Sequence, residues 1–243
     1  MYYDLSFYRY NERSILISWP EKINENILND ILNFKKTISE KSIKQIVDII
    51  HAYSSILIIY KHTIDNFNDE YFKLKELYMA SQSSVVLKKT TWEIPVCYDL
   101  EFGVDLKFIC NLINLSPYDV IRIHSAPVYT VYFLGFLPGF PYLGGLDSRL
   151  FLERKSEPKL NVAKGSVAIG ANQTGIYPQD SPGGWHIIGK TPIDLFTPKR
   201  KPLTFIDAGD KIRFVPISIK EFYKIDALVK SSDYILKPIQ SHD

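Results

Sequence analysis

Gly184 to Thr191, GWHIIGKT, matches the phosphate-loop pattern G-x-x-x-x-G-K-[ST] at every fixed position, so phosphate binding is the first chemistry to consider. The context argues against it. A phosphate loop follows a buried strand and opens a helix whose free N–H groups face the anion. Here SPGG precedes the motif, Pro192 to Pro198 follows with no helical period, and the four intervening residues read as strand. Ser181, Pro182, Gly183 and Gly184 just upstream form a turn that can present consecutive N–H groups to a carboxylate or phosphate, with a plain tight turn as the alternative.

Other chemical groupings are less specific. His124 beside Ser125 pairs a base with a nucleophile, but neighbours on a strand point to opposite faces, which leaves a turn or barrel-rim histidine as the simpler reading. Asp147, Glu153, Asp180 and Asp194 stand in no diagnostic acid–base spacing and read as solvated loop charges. Cys97 has nothing nearby in sequence to lower its thiol pKa and reads as a small apolar residue. Neither Cys97 nor Cys110 stands at metal-type spacing from a histidine, so no metal site is expected. The aromatic set Tyr129, Tyr132, Phe133, Phe136, Phe140, Tyr142, Tyr177 and Trp185 lines either a groove or a core; alternation along Tyr129 to Phe133 predicts some rings inward and others outward. Pro138, Gly139 and Pro141 make a rigid loop that presents Phe136 or Phe140.

The elements that must hold these groups fall into two parts. All twelve glycines lie between Gly103 and Gly209, and only Pro20 among the prolines precedes Pro95, so the composition changes between an N-terminal and a C-terminal region. In the first, Ser14 to Trp19 and the runs Gln45 to Tyr53 and Ser55 to Tyr60 predict strands. Ile23 to Ile38 and Phe72 to Tyr78 predict helices. The expected domains are therefore a small α+β unit over 1–88, with a polar linker over Ser81 to Thr91, and a second domain over 89–243. That second domain opens with a strand at Trp92 to Tyr98, a helix near Asp105 to Asn114 and a helix start at Ser116, Pro117 and Asp119. The short runs VYTVYFLGF, SVAIG, WHIIG, PLTFI and KIRFVPI, punctuated by Gly and Pro, then predict a closed or nearly closed β barrel.

A net charge of +2 with interspersed signs gives no footprint for nucleic acid or an anionic membrane. The charged start MYYDLSFYRYNERS and the lack of any run near the ~18 apolar residues of a membrane span predict a cytosolic protein.

IPVCYDLEFGVDL, HSAPVYTVYFLGFLPGFPYLGGLD and GSVAIGANQTGIYPQDSPGGWHIIGKTP, in that order, closely resemble the family of the 5-oxoprolinase B subunit, also called allophanate hydrolase subunit 1 or Kip-type histidine kinase inhibitor. The resemblance covers Ile94 to Pro216 and implies an α+β N-terminal domain followed by a mainly-β, cyclophilin-like barrel. Asp99 and Leu100 stand where that family commonly carries a glycine pair, Lys159 and Asn161 where it carries arginines, Ala163 where it carries proline, and Lys190 replaces a frequent arginine. The implied function is the B subunit of an ATP-dependent 5-oxoprolinase, an amidohydrolase that opens 5-oxoproline to L-glutamate. It would work with a tightly bound C subunit and an A subunit, with ATP used by the complex and no activity expected from this chain alone. A lactam is a poor electrophile, and phosphorylating its carbonyl oxygen requires anion-binding groups and water exclusion. The groove residues expected to supply them are Ser181 to Trp185, Gln173 and Lys190. The alternative implied by the resemblance is a non-catalytic inhibitor of a sensor histidine kinase, docking through Phe136, Phe140 and Trp185. The remaining groove candidates are His124, Tyr129, Pro138, Gly139 and Tyr177, and no catalytic residue is assigned.

Overall fold

The computed structural model describes residues 3–41, 45–81 and 89–239. It divides into two compact units, Met1–Lys88 and Lys89–Asp243. Of the expected linker over Ser81 to Thr91, residues 82–88 lie outside the described residues, Ser81 caps the helix that ends at Ala80, and Thr91 opens a strand.

The first unit holds β1 (Ser6–Asn11), β2 (Ser14–Ser18), α1 (Glu25–Glu40), β3 (Ile46–His51), β4 (Ser55–Tyr60) and α2 (Phe67–Ala80). Its strands form an antiparallel sheet in the order β1-β2-β4-β3. Helix α1 starts where the Asn24 side chain accepts from the Asn26 amide, and its Ile27, Ile31, Phe34 and Ile38 recur at helical spacing. That face packs on Ile15, Ile17, Ile56 and Ile58 of the sheet, the alternate residues of β2 and β4. Strand β1, with five of its six residues exposed, lacks this alternation and is invisible to periodicity.

The second unit follows the order β5 (Thr91–Val96), α3 (Leu106–Ile113), α4 (Pro117–Ser125), β6 (Val128–Leu134), β7 (Pro141–Gly144), β8 (Lys159–Val162), β9 (Ser166–Gly170), β10 (Gln173–Ile176), β11 (Ser181–Gly183), β12 (His186–Lys190), β13 (Lys211–Pro216), α5 (Ile219–Lys230) and β14 (Pro238–Ile239). Eight strands form one sheet in the order β12-β9-β10-β7-β6-β13-β5-β14, and β8 pairs with β11 separately. Ser116 caps α4 by accepting from the Asp119 amide, with Pro117 in the first turn, as the sequence predicts. Helix α5 begins with a capping box between Ser218 and Glu221.

The expectation of a barrel is met only in part. The sheet is open as a ladder. A single bridge just beyond β5 ties it to β12, the Cys97 amide donating to the Lys190 carbonyl at 2.8 Å and the Lys190 amide to the Cys97 carbonyl at 2.9 Å. The predicted strand PLTFI is also corrected: the segment is irregular apart from one bridge between Phe196 and Thr204, because Pro202 and the Arg200 contacts around it hold a loop instead. The core joins residues of the sheet and of α3 and α4, among them Ile94, Val96, Leu106, Ile123, Val131, Ile169 and Phe214.

Candidate functional site

The Gly/Pro/aromatic segment folds largely onto itself. Phe140, Tyr177 and Trp185 are 2%, 2% and 5% exposed and form a second small core with Val162, Ala168 and Ile187. Phe140 meets Tyr177 and Trp185 edge-on at centroid distances of 5.2 and 5.6 Å, the arrangement favoured by ring quadrupoles. Two glycines permit this. A Cβ on Gly170 would stand 2.5 Å from the Trp185 ring, and one on Gly183 would overlap the Tyr177 hydroxyl. These three rings are packing, the core reading of the two alternatives that the sequence leaves open.

The other predicted residues separate in the same way. Ser181 to Gly183 is strand β11, paired with β8 through Ser181–Val162 and Gly183–Lys159, so its backbone is engaged in a ladder and forms no open nest of amides. Pro182 is exposed, while Gly184 is half-buried and its carbonyl accepts from the Lys155 amide. Tyr129 is fully buried and Tyr132, where the β6–β7 register shifts between Val131 and Phe133, is 4% exposed, so neither ring points outward. Of the loop residues, Gly139 is buried at φ 82 against Phe196, Pro138 is exposed, and Phe136 is 62% exposed at φ 65. The loop therefore presents Phe136 and buries Phe140. Gln173 opens β10 with its Oε1 buried and unpartnered among the described residues.

His124 is neither on a strand nor on a rim: it lies in the last turn of α4 and is completely buried. Its ring stacks on Phe214 at 4.7 Å. Thr174 donates its hydroxyl hydrogen to the Ala168 carbonyl, so its oxygen accepts from His124 Nε2–H at 2.9 Å. Nδ1 then accepts from the Tyr98 hydroxyl at 2.8 Å. Burial pushes the imidazole pKa down to about 3 and the Tyr98 phenol well up, so both are neutral packing groups near neutral pH.

Lys190 belongs to a different place. It ends β12 with a half-buried side chain and lines a cleft of about 420 Å³ with Glu101, Phe102, Val104, Lys159, Asn161, Ala163, Ser166 and Ile187. Lys159, Asn161, Ala163 and Lys190, four of the six positions singled out in the sequence, meet at one cleft, whereas Asp99 and Leu100 do not line it. The Lys190 ammonium lies 5.6 Å from the centre of the Phe102 ring and has no carboxylate partner among the described residues. Behind the cleft, Asp105 binds Lys155 at 2.6 Å and Lys159 at 3.2 Å, and accepts from the Ile187 amide at 2.8 Å. Burial alone would raise the Asp105 carboxyl pKa, but these donors bring it below the ordinary value. Asp105 also precedes α3, and its own amide donates to the Ile187 carbonyl, so one residue fixes the helix, the strand and a cleft lysine together.

A larger hollow of about 540 Å³ beside Arg200 offers less chemistry, because that guanidinium donates to the carbonyls of Leu195 and Pro202. The cleft at Lys190 is therefore the stronger candidate. Sequence reasoning missed Phe102, Val104, Ser166 and Asp105. The chain keeps them far from Lys190, and the β9–β12 pairing, the Cys97–Lys190 bridge and the Asp105–Ile187 hydrogen bonds bring them to it.

Residues 5–206 match the family described as carboxyltransferase domain, subdomain C and D. The chain is 37% identical over 222 residues to the 5-oxoprolinase B subunit of Bacillus subtilis (strain 168), covering 87% of this chain and 92% of that protein. The chain belongs to the 5-oxoprolinase B subunit family. Its identity to the 5-oxoprolinase B subunit of Escherichia coli O157:H7 is 48% over 124 residues, 51% of this chain and 57% of that one. The fold of this family member also occurs inside the K. lactis urea amidolyase, with a TM-score of 0.83 and 20% identity, over 98% of this chain and 16% of that one. At that identity the likeness concerns the fold alone. In this member of the family the phosphate-loop pattern falls on β12, a strand with no helix after it, so the motif builds no phosphate loop.

Proposed function

We propose that this chain is the B subunit of an ATP-dependent 5-oxoprolinase that converts 5-oxoproline to L-glutamate in a complex with the C and A subunits. What carries this reading is the 37% identity across 92% of a protein named as the 5-oxoprolinase B subunit. The chain is proposed to be inactive alone and to work in the cytoplasm, with ATP consumed by the complex. Among the described residues no group of three or more His, Cys, Asp and Glu side chains is placed to hold a metal ion, and no helix is long and apolar enough to cross a membrane.

In this reading the cleft at Lys190 is the part of the chain that faces small molecules, and the sheet of the second unit is a cyclophilin-like barrel whose seam is the Cys97–Lys190 bridge. The seam supports the barrel reading because it joins β12, one edge of the sheet, to the chain leaving β5 near the other. The kinase-inhibitor alternative is weakened by burial: Phe140 and Trp185, two of its three proposed anchors, are closed inside the domain.

The test is reconstitution. The chain is mixed with its candidate partner subunits, ATP and 5-oxoproline, and glutamate release is measured. Glutamate should form with the chain and not without it. Equal release in both mixtures would sink the assignment.

A further inference from the structure

We propose that the cleft between β12, β8 and the segment before α3 binds a small monocarboxylate carrying a neutral amide, anchored by the Lys190 ammonium. This rests on the reading above that the chain serves a 5-oxoprolinase, and it names 5-oxoproline itself, rather than ATP, as the ligand of this cleft.

Charge comes first. Lys159 and Lys190 line the cleft with Glu101, and Asp105 with Lys155 stands directly behind Lys159. Three ammonium groups against two carboxylates leave one positive charge. A neighbouring pair, Lys164 with Asp194 at 2.5 Å, cancels itself. Of the three lysines, Lys155 and Lys159 share Asp105, while Lys190 has no acidic partner among the described residues. Its stem is held against Gly165, where an added Cβ would lie 3.4 Å from Lys190 Cγ, and its head rests over Phe102. An ammonium fixed in this way loses little freedom on meeting an anion. One net charge suits one carboxylate and is short of what a triphosphate requires.

Shape and polarity point the same way. At about 420 Å³ the cleft sits near the low end of the roughly 300–1,000 Å³ range of small-molecule sites. Phe102, Val104 and Ile187 supply apolar surface for ring methylenes, and Asn161 and Ser166 supply neutral groups that can both donate to and accept from an amide. An amide ring bearing one carboxylate uses all three kinds of lining.

The experiment titrates the full chain with L-5-oxoproline, 2-pyrrolidinone, inorganic phosphate and ATP by calorimetry, with chemical-shift mapping of the cleft amides. 5-Oxoproline should bind saturably and shift amides of β12 and β8, whereas 2-pyrrolidinone, which lacks the carboxylate, should bind at least about tenfold more weakly. Lys190→Met, which keeps the apolar stem, should weaken 5-oxoproline binding about tenfold or more with unchanged circular dichroism, and Lys190→Arg should restore most of it. Absence of saturable 5-oxoproline binding, tighter binding of phosphate or ATP at the same amides, or unchanged affinity in Lys190→Met would each overturn the proposal. The reconstituted assay separates the two levels. If the wild-type chain supports no glutamate release, the 5-oxoprolinase assignment fails; if it does and Lys190→Met works with an unchanged KM for 5-oxoproline, only the cleft assignment fails.

Discussion

His124 shows how a residue with catalytic chemistry is converted to structure by its surroundings. The ring is buried, stacked on Phe214 and bonded through both nitrogens, so it must stay neutral in the fold while the unfolded chain titrates it near 6.5. Its folded pKa is depressed, so the stability it contributes is complete above about pH 6.5 and is lost as pH falls towards 3. Urea unfolding at pH 7 and pH 5 should therefore show a loss of about 2 kcal/mol from this group. In His124→Gln that increment should vanish although the baseline stability is lower; the same loss in the variant would assign the effect elsewhere. Lys190 is the opposite case, an ammonium with no carboxylate partner among the described residues, at the edge of a cleft. Both residues are conspicuous in the sequence, yet their roles depend on partners far along the chain, Tyr98 for His124 and Phe102 for Lys190, which no local spacing encodes.

At the scale of elements, β12 carries most of the organisation of the candidate site. It pairs with β9, meets the chain leaving β5 at Cys97, receives α3 through Asp105 and delivers Lys190 to the cleft. Its neighbour β9 ends at Gly170, where the Trp185 ring occupies the space of a side chain. Gly170→Ala should cost on the order of 1–3 kcal/mol by overpacking, seen as a lower urea midpoint with an unchanged denaturant slope. An unaltered midpoint would show that Trp185 can move aside without cost. The strands at β2, β4, β9, β12 and β13 are legible in the sequence because apolar runs and Gly/Pro boundaries mark them. Strand β1 and the irregular 202–206 segment are not, because pairing partners and backbone contacts, rather than pattern, decide them.

At the scale of the molecule, the two compact units have separate cores: Ile15, Phe34 and Ile58 belong to one, and Ile94, Val131 and Phe214 to the other. A fragment of residues 89–243 should therefore unfold in one cooperative transition and keep the near-ultraviolet signal of its packed Trp185; a broad, non-cooperative transition would show that its core is incomplete. The change in glycine and proline usage after residue 95 already separates these regions, and the long ordered motifs from Ile94 onward carry the family resemblance that the identity to the Bacillus subtilis protein then established. Sequence by itself thus determined the family, the two-part composition and most helices and strands, because local periodicity, capping and turn chemistry act between near neighbours. Only the tertiary structure decided which aromatics are core, that His124 is buried and neutral, and that Lys159, Asn161, Ser166 and Lys190 share one cleft. Those outcomes depend on burial and on long-range strand pairing, which join residues that the chain keeps far apart.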